Sequence, residues 1–293
     1  MQGWERYLLP LLPAELAEEL RVWGLDGAEE LRIRVDRPTR LMGGSCRILS
    51  WTPDAEDCRQ LLLRLCRQSL YAYSEELAAC YMTLPGGFRV GLAGRMTGGE
   101  AGPRLVAPTG FNIRLAREIP GCADGLMPLL WGADGPKSAL LISPPGAGKT
   151  TLLRDAARQL SERGAAVCIA DERRELAGCE GGVPTLDVGP CTDVLEGCKK
   201  ARALQLMLRG MAPQVLVTDE LSGAEDARAV LDAAGCGVRV LASAHASSME
   251  DLRRRREIYA LVEAGCFQRV VALKRAAGAA PTLALVYGAE EST

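Results

Sequence analysis

Ser143-Pro144-Pro145-Gly146-Ala147-Gly148-Lys149-Thr150-Thr151 separates an apolar run, Ala139-Leu140-Leu141-Ile142, from a helical pattern that starts at Leu152. Strand, glycine loop, Lys-Thr and helix in that order form a phosphate cradle. Gly146 and Gly148 let the backbone turn so that several N–H groups face one point. The helix that follows adds its unpaired N–H groups and the positive end of its dipole. Lys149 has the reach for β- and γ-phosphates, and the Thr150 hydroxyl suits Mg²⁺. The stretch therefore predicts binding of a nucleoside triphosphate with Mg²⁺, with all of residues 143–151 in the cradle. It departs from the pattern G-x-x-x-x-G-K-[ST] at its first place, where Ser143 stands for Gly. The plainer alternative is an ordinary Gly/Pro turn before a helix; the strand in front and the helix behind favour the cradle.

Further on comes Val215-Leu216-Val217-Thr218-Asp219-Glu220. A short β-branched apolar run reads as a buried parallel strand. An acidic pair at its C-terminal end lies where open α/β sheets bind ligands. Asp219 is placed to hold Mg²⁺ through its water shell, and Glu220 to orient or deprotonate an attacking water. Alone, such a pair is a common strand ending; downstream of a phosphate loop it predicts hydrolysis. The chain's one histidine, His245, ends another apolar strand pattern, 238–245. That end is expected beside the Asp219 strand end. A lone histidine is more often structural than catalytic, but at this edge it reads as a γ-phosphate sensor, with Ser243 a second candidate for the same place. Asp171-Glu172-Arg173-Arg174-Glu175 follows a third apolar run and reads either as a solvated turn or as part of the same site.

Composition sets the bounds. The 293 residues suffice for two domains. A net charge of −2 supplies no field toward nucleic acid, and no nucleic-acid partner is expected. The eleven cysteines are odd in number and contain no C-x-x-C pair. Free thiols in a reducing compartment fit them, and with one histidine a structural zinc site is not expected. The first twenty residues lack the pattern of a signal peptide, and no run reaches the roughly 20 apolar residues that span a bilayer. A cytoplasmic protein is expected, attached to a membrane only through protein partners.

Residues 1–118 read as a mixed α/β domain: a helix over 13–23, an alternating strand over 31–35, a helix from Thr52-Pro53-Asp54 to about Ser69 with Thr52 as cap, and strands over 88–93 and 111–115. The Gly/Pro-rich residues 119–137 read as a linker. Over 138–293, alternating strand and helix patterns predict a parallel sheet with helices on both faces. Ser247 and Glu250 suggest a capping box for one helix running to Ala264, then a strand over 267–273 and a last strand near 282–287, paired as a hairpin. The basic run 253–256 reads as solvated charge, or as a subunit or anionic-partner contact.

With these motifs in this order, the chain resembles the secretion-type ATPases of type II and type IV systems. Within them it is most similar to the stage III sporulation protein AA family of endospore-forming bacteria. The residues that carry the resemblance are Gly86-Gly87-Phe88-Arg89-Val90-Gly91-Leu92-Ala93-Gly94-Arg95, Asn112-Ile113-Arg114-Leu115-Ala116-Arg117-Glu118, the phosphate loop, Asp171-Glu172-Arg173 with Glu175-Leu176-Ala177-Gly178, and Asp219-Glu220. The resemblance implies a RecA-like P-loop NTPase domain behind a smaller α/β domain. It implies a homo-oligomeric ring, a hexamer. It casts Asp171-Glu172 as the aspartate box and His245 as the histidine box, and brings an arginine of the first domain to the γ-phosphate, from among Arg89, Arg95, Arg114 and Arg117. Arg114 joins Glu220, Lys149, Glu172 and His245 in the expected catalytic set. The implied role is an ATPase powering, from the mother-cell cytoplasm, a transenvelope channel complex of membrane-embedded partners. Many secretion ATPases have Gly-Glu where this chain has Asp219-Glu220, and the pair here favours Glu220 as the base. Two other readings stay open: a RecA-like motor on single-stranded nucleic acid, which would want more than 4% aromatic residues for stacking, and a nucleotide-dependent assembly switch.

Overall fold

A computed structural model describes residues 3–98, 103–274 and 282–288. The chain divides into two compact units, Met1–Ala116 and Arg117–Thr293.

The first unit is built on a six-stranded antiparallel sheet in the order Cys46–Ile48, Arg37–Gly43, Ala28–Arg34, Arg104–Arg114, Phe88–Thr97, Tyr81–Leu84. Alternate residues divide between its faces, as the pleat requires. Leu31, Ile33, Val90 and Ile113 are buried with Leu16 and Leu20 of helix Ala14–Trp23 and Leu61 and Leu65 of helix Ala55–Leu65. The opposite face carries arginines that meet across the strands, Arg32 opposite Arg40 and Arg89 opposite Arg114. Helix Ala55–Leu65 is capped by Asp54, not by Thr52. Its carboxylate accepts from Asp57 N (2.8 Å) and the Asp57 carboxylate accepts from Asp54 N (2.9 Å), a reciprocal box that a shorter acid closes as well as Glu. The helix stops at Leu65 rather than near Ser69, because Arg67 and Gln68 turn to φ 49° and 63°. In the glycine-rich signature, a Cβ on Gly94 would lie 2.0 Å from Ala107 O of the paired strand. Only glycine fits there.

The second unit holds a seven-stranded sheet in the order Thr192–Glu196, Val167–Asp171, Val215–Thr218, Arg239–His245, Ala139–Ser143, Arg269–Lys274, Thr282–Gly288. All neighbours pair in parallel except the last, which returns as the expected hairpin. The apolar runs are continuous because both faces are covered. Leu140, Ile142, Cys168, Ala170 and Leu216 enter one core with helices Lys200–Gly210, Ala224–Gly235 and Arg256–Glu263. Ala139, Leu141, Val167, Ile169, Val215 and Val217 enter the other with helix Lys149–Glu162.

Residues 119–137, expected as a linker, belong to this second core. Ala123, Leu126, Met127 and Leu130 are buried in it. Gly and Pro there shape a tightly packed turn, not a tether. The expected single helix to Ala264 is two, Met249–Arg253 and Arg256–Glu263. Its cap is Ser248, which accepts from Asp251 N, while the Asp251 carboxylate accepts from Ser247. The basic run straddles the break, and Arg253 lies over the Tyr259 ring.

Asp155 fastens the 119–137 segment to the phosphate-loop helix. Its carboxylate accepts from Ala123 N (2.8 Å) and from the Arg158 and Gln159 side chains. Burial pushes the acid up, but these donors outweigh it and hold the carboxyl below its ordinary 3.8. A depressed folded value means stability that is present above pH 3.8 and lost as pH falls through the folded value. Asp155→Asn is expected to cost about 2 kcal/mol at neutral pH. The gap from wild type should close below pH 3.8 in melting curves taken across an acid series.

Candidate active site

Parallel strands bring their C-terminal ends to one edge, so Ser143, Asp171, Thr218 and His245 arrive together. The strand ending in His245 lies between the phosphate-loop strand and the Asp219 strand. Its side chains therefore sit between the two halves of the site, as the sequence pattern anticipates.

Gly146 and Gly148 stand at φ 76° and 88°. Nothing lies within 4 Å of a Cβ built on Gly146, so it is the backbone angle, not space, that calls for glycine. Gly148 is the N-cap of helix Lys149–Glu162, and no side chain caps that helix. Its first N–H groups remain for an anion. Ser143 is not among the positive-φ residues, so this place needs no glycine. Its hydroxyl donates to Pro144 O (2.9 Å) and accepts from Lys149 Nζ (3.1 Å). Lys149 Nζ also reaches Ser143 O (3.0 Å), Pro144 O (3.2 Å) and His245 Nδ1 (3.0 Å). Burial lowers the Lys149 pKa, with Asp219 and Glu220 opposing.

The two halves meet at Asp219. Thr150 Oγ1 donates to its Oδ2 (2.7 Å) and Ser243 Oγ to its Oδ1 (2.5 Å). A hydroxyl and a carboxylate make an oxygen-only donor set, which fits a hard cation that keeps waters and shares phosphate oxygens. Among the described residues no group of three or more His, Cys, Asp or Glu could hold a metal by itself. ATP with Mg²⁺ therefore fits the residues present. Glu220 lies beside this pair at φ 48°, a left-handed conformation that costs a non-glycine residue about 1 kcal/mol. Lys200 Nζ donates to both Asp219 O (2.9 Å) and Glu220 O (2.7 Å), and Glu220 N donates to Ser243 Oγ (3.0 Å). The Glu220 carboxylate meets Arg173 (2.9 Å) and His245 Nε2 (3.3 Å).

Asp171 and Glu172 part company. Asp171 is buried and turned inward, accepting from the N–H groups of Glu175, Leu176 and Ala177 at 2.8–3.0 Å. Burial raises its pKa against those donors. Its carboxylate anchors the loop that follows. Glu172 is half-exposed and accepts from Lys200 N (3.3 Å), with Lys200 Nζ 3.8 Å away. Arg114 stands in the first unit, exposed, opposite Glu30 and Arg89 in the sheet; Arg89 lies over the Tyr81 ring.

Sequence reasoning passes over Lys200 and Arg154, and it names Arg173 only as a member of the 171–175 cluster, without its contact to Glu220. Arg154, on the phosphate-loop helix, is buried and donates to Leu176 O (2.6 Å), Glu175 O (2.7 Å) and Arg117 O (3.0 Å). With Asp171 it holds both the carbonyls and the N–H groups of 175–176. One sign was available: Arg154-Asp155 is flanked by Leu152-Leu153 and Ala156-Ala157, so the two charges sit within an apolar surround. All eleven cysteines are free, and burial drives Cys58, Cys66 and Cys168 up to about 11 and Cys122 and Cys179 to about 12.

The second unit is a RecA-like P-loop fold with a mostly parallel sheet, preceded in the chain by a smaller α/β unit. The ATPase DotB of Legionella pneumophila superposes with a TM-score of 0.63 at 15% identity, over 90% of this chain and 76% of that one. The pilus retraction motor PilT, solved with bound ADP, superposes with a TM-score of 0.64 at 17% identity, over 97% and 84%. The family described as sporulation stage III, protein AA matches residues 16–290, and the chain belongs to that family. Stage III sporulation protein AA of Bacillus subtilis (strain 168) is 44% identical over 260 residues, 85% of this chain and 83% of the relative.

Arg154→Ala would strand three carbonyls around a buried void. We expect it to cost about 3 kcal/mol or more, read as a lower urea midpoint with unchanged slope.

Proposed function

We propose that this protein is a Mg²⁺-dependent ATPase motor of the secretion-ATPase type, working as a hexameric ring. The carrying observation is the joined pair Thr150–Asp219, with Lys149, His245 and Glu220 gathered around it. ATP supplies the phosphoanhydride bond and Mg²⁺ neutralises charge on its oxygens. Residues 143–151 bind: the loop and helix N–H groups take phosphate oxygens, and Lys149 adds a positive charge in a buried, water-poor place. Thr150 and Asp219 orient the cation. Glu220 takes a proton from the attacking water at its carboxylate, held in line by a fixed backbone. His245 senses the phosphate side of the site, and Glu172 supports the water from the neighbouring strand end. The family's printed description and its Bacillus relative support a role in endospore formation. There the ring would power a transenvelope channel complex from the cytoplasm, attached through membrane-embedded proteins. Among the described residues no helix is long and apolar enough to cross a membrane, so the attachment is assigned to partners.

Steady-state Mg²⁺-ATP hydrolysis by the purified chain, with Lys149→Ala as the blank, tests this. Wild type is expected to turn over above the blank, unaffected by single-stranded nucleic acid. Glu220→Gln should lose about 100-fold or more in kcat while still binding nucleotide. Equal turnover in wild type and Glu220→Gln would remove Glu220 as base, and strong stimulation by nucleic acid would replace the secretion reading with a nucleic-acid motor.

A further inference from the structure

Both Glu220 carboxylate oxygens have a close neighbour. Arg173 Nη1 donates to Oε2 at 2.9 Å, and His245 Nε2 lies 3.3 Å from Oε1. The other imidazole nitrogen, Nδ1, lies 3.0 Å from Lys149 Nζ. An ammonium only donates, so Nδ1 accepts and the ring proton sits on Nε2, facing Glu220. Lys149 has four oxygen and nitrogen partners, at 3.0–3.2 Å, for three N–H donors. Its hold on any one of them, His245 included, is easily given up. Lys149, His245, Glu220 and Arg173 thus form one chain from the phosphate loop to the acidic pair.

We propose that Arg173 and His245 latch Glu220 in a disengaged position, with Lys149 as the trigger. This rests on the reading of residues 143–151 as a phosphate cradle and of Glu220 as base. When Lys149 turns to phosphate oxygens it withdraws its hydrogen bond from His245 Nδ1. The imidazole is then free to leave Oε1, and the carboxylate to meet a water. Arg173 is a positioning residue: it acts through Glu220, and it stands on the neighbouring strand end, outside the cradle. Its side chain is 46% exposed and that of Glu220 31%. A pair so exposed biases an equilibrium by only about 2- to 5-fold. The latch restrains the site without locking it.

The single histidine makes the relay directly readable. In ¹⁵N-histidine-labelled protein without nucleotide, at about pH 8 where an ordinary imidazole is neutral, the ring should be the Nε2–H tautomer. Lys149→Met should convert it to a mixture of tautomers, and Arg173→Ala should leave it alone. A ring whose tautomer ignores Lys149→Met overturns the relay. In turnover, Arg173→Ala should raise kcat about 2- to 5-fold, with KM for ATP nearly unchanged, and Arg173→Lys should stay near wild type. A fall of tenfold or more in a variant that melts like wild type would place Arg173 on the substrate and overturn the latch. Absence of any ATP hydrolysis in wild type counts against the proposed function alone; the tautomer experiment still decides the relay.

Discussion

Thr150 and Asp219 come from opposite sides of an intervening strand, and the hydrogen bond between them is the point at which the second unit becomes a site. It depends on backbone geometry set well away from it. Gly146 and Gly148 must turn left-handed so that Thr150 starts a helix rather than extends a strand. The Asp219 strand must pair in parallel with the strand of Ser243 and His245, and that strand with Ala139–Ser143, in register. A shift of one residue would turn Ser243 to the opposite face of the sheet and bring an alanine to Asp219. Because these strands are continuously apolar and buried on both faces, the polar contacts at their ends are what tell the right register from a shifted one.

A second constraint acts beneath the site. Arg154 and Asp171 are both buried, and neither pairs with the other by a direct hydrogen bond. Each instead spends its donors or acceptors on the backbone of 175–177. Burying charge is costly unless every bond is made, and here the bonds shape the loop that follows the Asp171 strand. That loop's first residues, Glu172 and Arg173, are thereby aimed outward, toward Lys200 and Glu220. The acidic cluster that looks uniform in sequence is divided by burial into an anchor and two residues that face the site.

The parallel sheet and the left-handed turns at Gly146 and Gly148 are legible because their residue types are forced: continuous apolar runs for strands covered on both faces, glycine for positive φ. The hairpin at the end of the sheet was legible for the same reason. Less was legible in the first unit. Strand Arg37–Gly43 opens with Arg-Pro-Thr-Arg, and Cys46–Ile48 is exposed throughout, so neither shows a clean period of two. Residues 119–137 mislead because Gly and Pro mark a turn without saying whether it is packed; Ala123, Leu126, Met127 and Leu130 decide that, and their i, i+3, i+4, i+7 spacing is the signal the linker reading overlooks. Lys200 carries no sequence signal and Arg173 only its place in the 171–175 cluster, since the contacts of both depend on which backbone turn lies opposite them in space.

Ser143 shows how a departure from a motif is absorbed. The first place of the loop favours glycine only where the backbone needs it, and here the strand runs through that place at ordinary angles. A side chain is then free, and serine's hydroxyl supplies a further partner for the Lys149 ammonium beside the carbonyls of 143 and 144. Alanine there would keep the backbone and lose that partner. The ammonium would then have three acceptors for three donors, and His245 would become one of its required partners instead of a surplus one. The departure that weakens the sequence match thus helps to set how readily Lys149 releases His245.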